Sequence, residues 1–151
     1  MKRPVTLCAT SLFAATLTMS AADTIDFGDD IYPIIRGSCI GCHSAPYEDT
    51  RGRIKTPKGG LRLDTPEWIQ KGYMNDENEQ EFVIVAGDAE ASTFYTTTIL
   101  PEDHDDIMPA KGDPLTKAQT DTIKAWIHQG ADYGDFVAPE FIHPKSKAAA
   151  E

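Results

Sequence analysis

The sequence has few cysteines, fewer basic than acidic residues, and no long apolar run. Its 151 residues include 3 cysteines, and 14 Lys and Arg residues stand against 24 Asp and Glu residues, for a formal net charge of −10 at pH 7. This acidic balance argues against a nucleic-acid-binding protein and against association with anionic lipid surfaces. The chain shows no internal repeat, and its length suits a single domain.

The first 22 residues have the pattern of a secretory signal peptide. Basic residues stand at positions 2 and 3, a mainly apolar stretch without charge runs over 5–19, and small residues occupy 20–22. The apolar stretch is too short and too rich in Thr and Ser to predict a membrane span, and no membrane span is expected in the mature chain. The alternative to cleavage is that the first 22 residues stay as an uncleaved N-terminal anchor. Cleavage after Ala22 would remove Cys8 and leave 12 basic and 24 acidic residues, a net charge of −12. The protein is therefore predicted to be periplasmic or otherwise exported.

The remaining two cysteines belong to the run Cys39-Ile40-Gly41-Cys42-His43. C-x-x-C-H is the spacing at which two thiols capture both vinyl groups of one haem as thioethers. An imidazole directly after the second thiol is then held beneath the same porphyrin as the proximal iron ligand. The motif predicts one covalent haem c attached to Cys39 and Cys42 and ligated by His43.

Three other interpretations of this cysteine pair are open. The two thiols could form a redox disulfide, supply half of a zinc site, or simply be buried. The surrounding residues do not look like a βαβ unit, and no second Cys or His pair stands at zinc-finger spacing. Because no other thiol remains in the exported chain, a haem would also have to serve as its covalent staple and much of its core.

Apolar periodicity and capping residues predict several short helices. These run over 26–38, from Thr65 to Gly72, from Gly87 to Pro101, and from the capping box of Thr116 and Gln119 to Gly130. The connecting stretches 44–63 and 73–81 are predicted to be loops, and 82–85 a β-prone run too brief to found a sheet. Residues 136–151 lack periodicity and are predicted to form a flexible C-terminal tail.

The stretch 44–63 also carries a local excess of basic residues. Five of them follow one another without an intervening acid: Arg51, Arg53, Lys55, Lys58 and Arg62. One interpretation is a solvated loop. The other is that one or two of these cations neutralise haem propionates.

Met108 is the candidate for the distal iron ligand. It stands between Ile107 and Pro109 in a stretch between two predicted helices, where the proline would stiffen its approach to the iron. A thioether sulfur stabilises reduced iron and so raises the reduction potential. Met74 lies in a polar loop and is the weaker sulfur candidate, while a core methionine is the other interpretation of Met108.

Three histidines compete with Met108 for the same position. His143 falls in the predicted tail, where ordering it would cost backbone entropy. His128 lies just past the apolar face of the last helix. His104 shares the loop of Met108, but Asp103 and Asp105 on either side favour a hydrated imidazolium. The sequence therefore predicts His43 and Met108 as the two axial ligands.

The order of helix, C-x-x-C-H, long loop, Met-Pro and C-terminal helix resembles a class I c-type cytochrome. The segments GGLRLDT (59–65), GDAEAS (87–92) and MPAKGDPLTKAQTDTIKAWIHQGA (108–131) are similar to the planctomycete-type cytochrome c domain. The resemblance covers about residues 31–133. It implies an all-α, cytochrome c-like helical domain over 23–135, wrapped around one covalently bound haem. One departure is that Ile107 stands where such domains commonly carry an arginine before Met-Pro-Pro, and Ala110 follows Pro109.

These features predict an electron-transfer protein rather than an enzyme, a periplasmic monohaem cytochrome that carries one electron. The alternatives are a haem peroxidase or gas-binding cytochrome with an open sixth site, and a haem-bearing subunit of a larger redox complex. The acidic charge predicts redox partner proteins with a basic docking patch. The acidic run over 102–106, beside Met108, is the expected contact surface, and the other interpretation of this run is a solvated stretch of charge.

Overall fold

The computed structural model describes residues 24–150, which combine short helices with two small hairpins. The predicted signal peptide over 1–22 lies outside these residues. The α-helices of the described part are α1 (Tyr32–Ser38), α2 (Pro66–Lys71), α3 (Thr93–Thr96) and α4 (Lys117–His128). The strands are β1 (Tyr47–Glu48), β2 (Ile54–Lys55), β3 (Tyr73–Met74) and β4 (Gln80–Glu81). Within 24–150, none of the helices combines the length and the apolar character needed to cross a membrane.

The prediction of an all-α fold is wrong. Helical segments make up only 34% of the structure, and the two stretches predicted as loops, 44–63 and 73–81, each fold back as an antiparallel hairpin. Tyr47 lies opposite Lys55 in the first hairpin, and Tyr73 lies opposite Glu81 in the second. Each strand is two residues long, too short for alternation of apolar and polar residues to appear in the sequence. The fold is a small mixed α/β domain.

The helix predicted over 26–38 is confirmed and leads directly into the C-x-x-C-H run. It begins as a π-helical turn over Phe27–Ile31, in which the Asp26 carboxylate accepts the N–H of Asp29 at 2.9 Å, and continues as α1. Pro33 lies in the first turn of α1, where a missing N–H interrupts no hydrogen bond of that helix. Its buried stripe, formed by Phe27, Ile31 and Ile35, fixes the direction in which the chain enters the motif.

The predicted capping box is present in the structure and begins α4, the longest helix of the described part. The Thr116 hydroxyl accepts the N–H of Gln119 at 3.3 Å, and the Gln119 side chain accepts the N–H of Thr116 at 2.9 Å. The Trp126 ring of α4 lies 5.4 Å from that of Phe27, and its Nε1–H donates to the carbonyl of Asp132 at 2.8 Å. This aromatic contact packs α4 against the turn that precedes α1.

The helix expected from Gly87 begins later than predicted. It covers α3 and continues as a 3-10 turn over Thr97–Ile99. The buried Ser92 hydroxyl accepts the N–H of Val85 at 2.8 Å and donates to the carbonyl of Asp88 at 2.7 Å, which holds 85–92 as turns. The start of α2 agrees with its prediction, because Thr65 caps it by accepting the N–H of Trp68 at 3.4 Å.

The C-terminal segment, defined here as residues 136–150, packs against the domain, whereas the sequence predicts a flexible tail. The Phe136 ring lies 5.4 Å from Phe27 and 4.7 Å from Tyr32. His143 and Ser146 are only 7% and 5% exposed, and Ser146 forms a backbone bridge with Asp49. The prediction differs from the structure because single rings and an imidazole hold this segment, and such contacts leave no periodic pattern.

We predict that Thr116→Ala lowers the free energy of unfolding by about 1 kcal/mol, because α4 loses its N-cap acceptor. Denaturant unfolding of the haem-loaded protein, followed by far-UV circular dichroism, measures this loss. The matched control is Thr122→Ala, which removes a hydroxyl that donates to Ala118 within the same helix, where alanine is a better helix former. Equal losses in the two variants would contradict the capping role.

Candidate haem site

The C-x-x-C-H run continues the backbone bonding of α1. The N–H of Cys39 donates to the carbonyl of Ile35 at 2.8 Å, and the N–H groups of Cys42 and His43 both donate to the carbonyl of Cys39 at 3.1 Å. Ile40 is fully buried, whereas Cys42 is exposed and Cys39 half-buried. The core therefore fixes the middle of the motif and leaves its thiols at the edge of the core.

The His43 imidazole is oriented by the chain that passes beside it. Its Nδ1 lies 3.2 Å from the carbonyl oxygen of Leu61, so this nitrogen carries the hydrogen and donates. The other nitrogen, Nε2, then keeps its lone pair and is the atom available to a metal. Backbone bonds from Lys58 N–H to the Cys42 carbonyl, 3.0 Å, and from Leu63 N–H to the His43 carbonyl, 2.8 Å, hold the two stretches together.

Burial lowers the pKa of His43, and this effect exceeds the opposite effect of the backbone carbonyls of Leu61 and Lys58. The neutral imidazole is therefore favoured near pH 7. A neutral ring with one nitrogen bound to a carbonyl and the other free is the form that ligates iron. The residue predicted as the proximal ligand thus has the protonation state and the orientation that this role needs.

The two thiols do not have the properties of a redox disulfide. Burial raises the pKa of Cys39 to about 12, with a further contribution from the nearby Cys42. Redox-active C-x-x-C pairs have a lowered pKa on the attacking cysteine. A zinc site finds no support either, since no three His, Cys, Asp or Glu side chains of residues 24–150 cluster in a way that could hold a metal ion. Two thiols and one oriented imidazole fit a haem c.

Met108 is half-buried in the loop that follows the 3-10 turn of α3. Its N–H donates to the carbonyl of Thr97 at 3.0 Å, which fixes the position of the loop, and its peptide bond to Pro109 is cis. The preceding residues 101–106 are all exposed. Ligation of iron by Met108 stays a prediction.

His104 and His128 lie on the surface. His104 Nδ1 accepts the N–H of Asp106 at 3.1 Å. His128 Nδ1 lies 3.2 Å from the carbonyl of Gly87, and its Nε2 lies 3.4 Å from the Glu90 carboxylate. The ring of His104 makes its polar contact within an exposed loop, and the ring of His128 makes its contacts at the exposed end of α4.

Sequence reasoning missed the role of His143. Its ring stacks on Tyr47 with centroids 3.9 Å apart and planes 10° from parallel. Nε2 donates to the carbonyl of Gly41 at 3.0 Å, and Nδ1 accepts the N–H of Lys145 at 3.0 Å. Because both nitrogens are engaged, His143 is not available as a ligand in this arrangement. It instead ties the C-terminal segment to the peptide between the two cysteines, a contact across 102 positions of the chain.

Asp49 organises the hairpin on which His143 is stacked. Its buried carboxylate accepts the N–H groups of Arg51 at 2.9 Å and Arg53 at 3.0 Å, and it pairs with the Arg53 guanidinium at 2.8 Å. These bonds, the Arg53 backbone bond first, lower the pKa of Asp49 to about 2. The depressed pKa means that ionised Asp49 stabilises the fold above the ordinary carboxyl pKa, and that this stabilisation is lost as the pH falls towards 2.

We predict that His143→Ala releases the C-terminal segment, because the variant loses two hydrogen bonds and the stacking contact. Cleavage of the haem-loaded protein by trypsin after Lys145, followed by mass spectrometry, should become faster by on the order of tenfold. His128→Ala removes a surface histidine and serves as the control, with no expected change. An unaltered cleavage rate after Lys145 in the His143 variant would contradict this role.

Comparison with known proteins agrees with this geometry. The family model of the planctomycete cytochrome C matches residues 39–112, just under half of the chain. The match begins at Cys39 and includes the C-x-x-C-H run, Leu61 and Met108. No curated protein and no solved structure is significantly similar to the chain. The family implies a covalently bound haem c, and the match over residues 39–112 confirms the resemblance of the sequence to the planctomycete cytochrome C domain.

Proposed function

We propose that this protein is an exported monohaem cytochrome that carries one electron between redox proteins. The observation that carries the proposal is the C-x-x-C-H run whose histidine donates from Nδ1 to the Leu61 carbonyl and keeps Nε2 free. Cys39 and Cys42 would hold the haem through thioethers, with His43 and Met108 as axial ligands. When bound, the haem supplies a reversible ferric/ferrous couple.

The residues of the chain would hold the haem without reacting themselves. The Leu61 carbonyl prevents rotation of the His43 ring, and buried Ile40 fixes the peptide between the cysteines. The hydrogen bond from the Met108 N–H to the Thr97 carbonyl limits movement of the loop that carries the proposed second axial ligand. Rigid axial ligands leave little to reorganise when an electron arrives or leaves, which suits a carrier.

The exported location and the partners are part of the proposal. The charged start and apolar stretch of 1–22 support export. The exposed acidic run over 102–106 supports a redox partner that offers a basic patch, and it lies directly before Met108.

Equilibrium redox titration should show one reversible electron per chain without turnover of added peroxide. Sustained peroxide turnover would instead favour a haem peroxidase.

We predict that Met108→Ala opens the sixth coordination position of the iron. The variant should change spin state, bind carbon monoxide, and lose on the order of 0.1 V or more of reduction potential, within the range of about 0.8 V that axial ligands cover. Optical spectra, carbon monoxide titration and potentiometry measure these changes. His104→Ala is the control and should cause none of them. The reverse pattern in the two variants would mean bis-histidine ligation.

We predict that Cys39→Ser and Cys42→Ser each abolish stable holoprotein, because both thioethers are needed to retain the haem. Haem staining of a denaturing gel after export measures the attachment. Ser38→Ala, which alters the residue before the motif without removing a thiol, should stain like the unchanged protein. Equal staining of all variants would show that the haem is not held by these cysteines.

A further inference from the structure

The ion pair between Arg62 and Asp64 is buried beside the segment that orients His43. The Arg62 side chain is 16% exposed and the Asp64 side chain 8%. Each of the other ion pairs within residues 24–150 has at least one side chain that is more than a third exposed. Moving two charges out of water costs free energy that their attraction offsets only in part, so such a pair contributes little to stability. What it can supply instead is a fixed geometry for the backbone that carries it.

Arg62 binds Asp64 through two parallel hydrogen bonds. Its Nε donates to Oδ1 of Asp64 at 2.9 Å, and its Nη2 donates to Oδ2 at 2.7 Å. The guanidinium carbon also lies 4.2 Å from the centre of the Trp68 ring. Two charge-assisted bonds and a contact with an aromatic face restrict the guanidinium to one arrangement. The backbone between Arg62 and Asp64 is therefore held at both ends.

Asp64 also joins the chain on both sides of the C-x-x-C-H run. Its Oδ2 accepts the N–H of Ala45 at 3.3 Å, two residues after His43. Its backbone carbonyl accepts the hydroxyl of Tyr32, in the helix before the run, at 3.4 Å. The ion pair is thus connected to the chain that enters the motif and to the chain that leaves it.

These contacts enclose the hydrogen bond that orients the His43 ring. Leu61, whose carbonyl oxygen lies 3.2 Å from His43 Nδ1, directly precedes Arg62. Leu63, whose N–H donates to the His43 carbonyl at 2.8 Å, stands between Arg62 and Asp64. Movement of either charged residue therefore moves the backbone groups that contact His43. A hydrogen bond donated by Nδ1 makes the imidazole more basic, and a more basic ligand stabilises ferric iron more than ferrous iron.

We infer that Arg62 and Asp64 are positioning residues that set the reduction potential of the protein through the Leu61 carbonyl and the His43 ring. The inference rests on the proposed function, in which His43 is the proximal ligand. The two side chains hold the acceptor of the ligand's hydrogen bond in place and do not react themselves. Loss of the pair weakens the bond from Nδ1, makes the imidazole less basic and raises the potential.

The other role open to Arg62, neutralisation of a haem propionate, predicts the opposite change. Loss of a cation beside a propionate leaves that anion uncompensated, which stabilises ferric iron and lowers the potential. The sign of the change in potential therefore distinguishes a positioning residue from a propionate partner.

A double variant removes the pair without changing the net charge. Arg62→Met combined with Asp64→Leu takes away one positive and one negative charge and keeps side chains of similar size. Potentiometry of the haem-loaded variant should show that the ratio of ferrous to ferric protein at a fixed potential rises about threefold or more, because second-shell hydrogen bonding tunes the iron. A lowered or unchanged ratio would overturn the inference.

The matched control removes an exposed ion pair with the same substitutions. Lys117→Met combined with Asp121→Leu acts on α4, where the two side chains are 86% and 58% exposed. This control also leaves the net charge unchanged, and its ferrous-to-ferric ratio should equal that of the unmodified protein. A shift as large as that of the Arg62 and Asp64 variant would overturn the inference.

Arg62→Lys is the conservative variant and keeps the charge. Lysine pairs with a carboxylate as a point charge, so this variant keeps the ion pair and loses its two parallel bonds. The ferrous-to-ferric ratio should rise, by less than in the double variant. An unchanged or lowered ratio in Arg62→Lys would overturn the inference even where the double variant does not fold.

Hydrogen exchange separates positioning from a general loss of stability. In the reduced, haem-loaded Arg62→Lys variant, nitrogen-15 NMR should show exchange of the His43 Nδ1–H and the Leu63 N–H about threefold faster or more, with the Ile123 N–H of α4 unchanged. Equal acceleration at Ile123 would indicate global destabilisation and overturn the inference. Absence of covalent haem from the unmodified protein would overturn the proposed function and this inference with it. A haem-loaded protein whose potential does not respond to these variants would overturn the inference alone.

Discussion

Hydrogen bonds between the segment 58–63 and the end of the C-x-x-C-H run hold the candidate site together. Lys58 donates to the Cys42 carbonyl, Leu63 donates to the His43 carbonyl, and the His43 ring donates to Leu61. The chain can run alongside the motif because Gly59 and Gly60 adopt φ values of 59° and 70°, which other residues rarely take. The segment GGLRLDT is thus the part of the chain that orients the proximal histidine. This segment lies within the residues 39–112 that the family model matches, and its physical role there is to orient the His43 ring.

The core helices, the first hairpin and the C-terminal segment all support this central contact. Buried Ile40 and the buried stripe of the helix before it anchor the motif in the core, and α4 packs on the aromatic turn before α1. On the outer side, the first hairpin is held by the Asp49 carboxylate, and the C-terminal segment lies across it through His143. The site therefore draws on residues from most of the described chain. A local motif at positions 39–43 depends on contacts that span up to 102 positions.

The sequence predicted the features that depend on local chemistry. The structure confirms the helix before the motif, the Thr65 cap and the Thr116 capping box, and the family match confirms the resemblance to the planctomycete cytochrome C domain. The all-α class was wrong because two-residue strands leave no periodic signal. His143 and Asp49 were missed because their roles arise from contacts between distant segments, and a histidine in a stretch without periodicity gives no sign of burial. Met108 was inferred from its loop and its proline, and its ligand role is still a prediction.

The central claim is that Cys39 and Cys42 carry one haem, and mass spectrometry of one peptide tests it most directly. Trypsin cleaves after Arg36 and Arg51, so residues 37–51 form a peptide that contains both cysteines of the motif and His43. In protein purified after export and denatured before digestion, the account predicts this peptide with the mass of one haem added and no free thiol. Recovery of the same peptide with two unmodified cysteines, or with a disulfide between them, would contradict it.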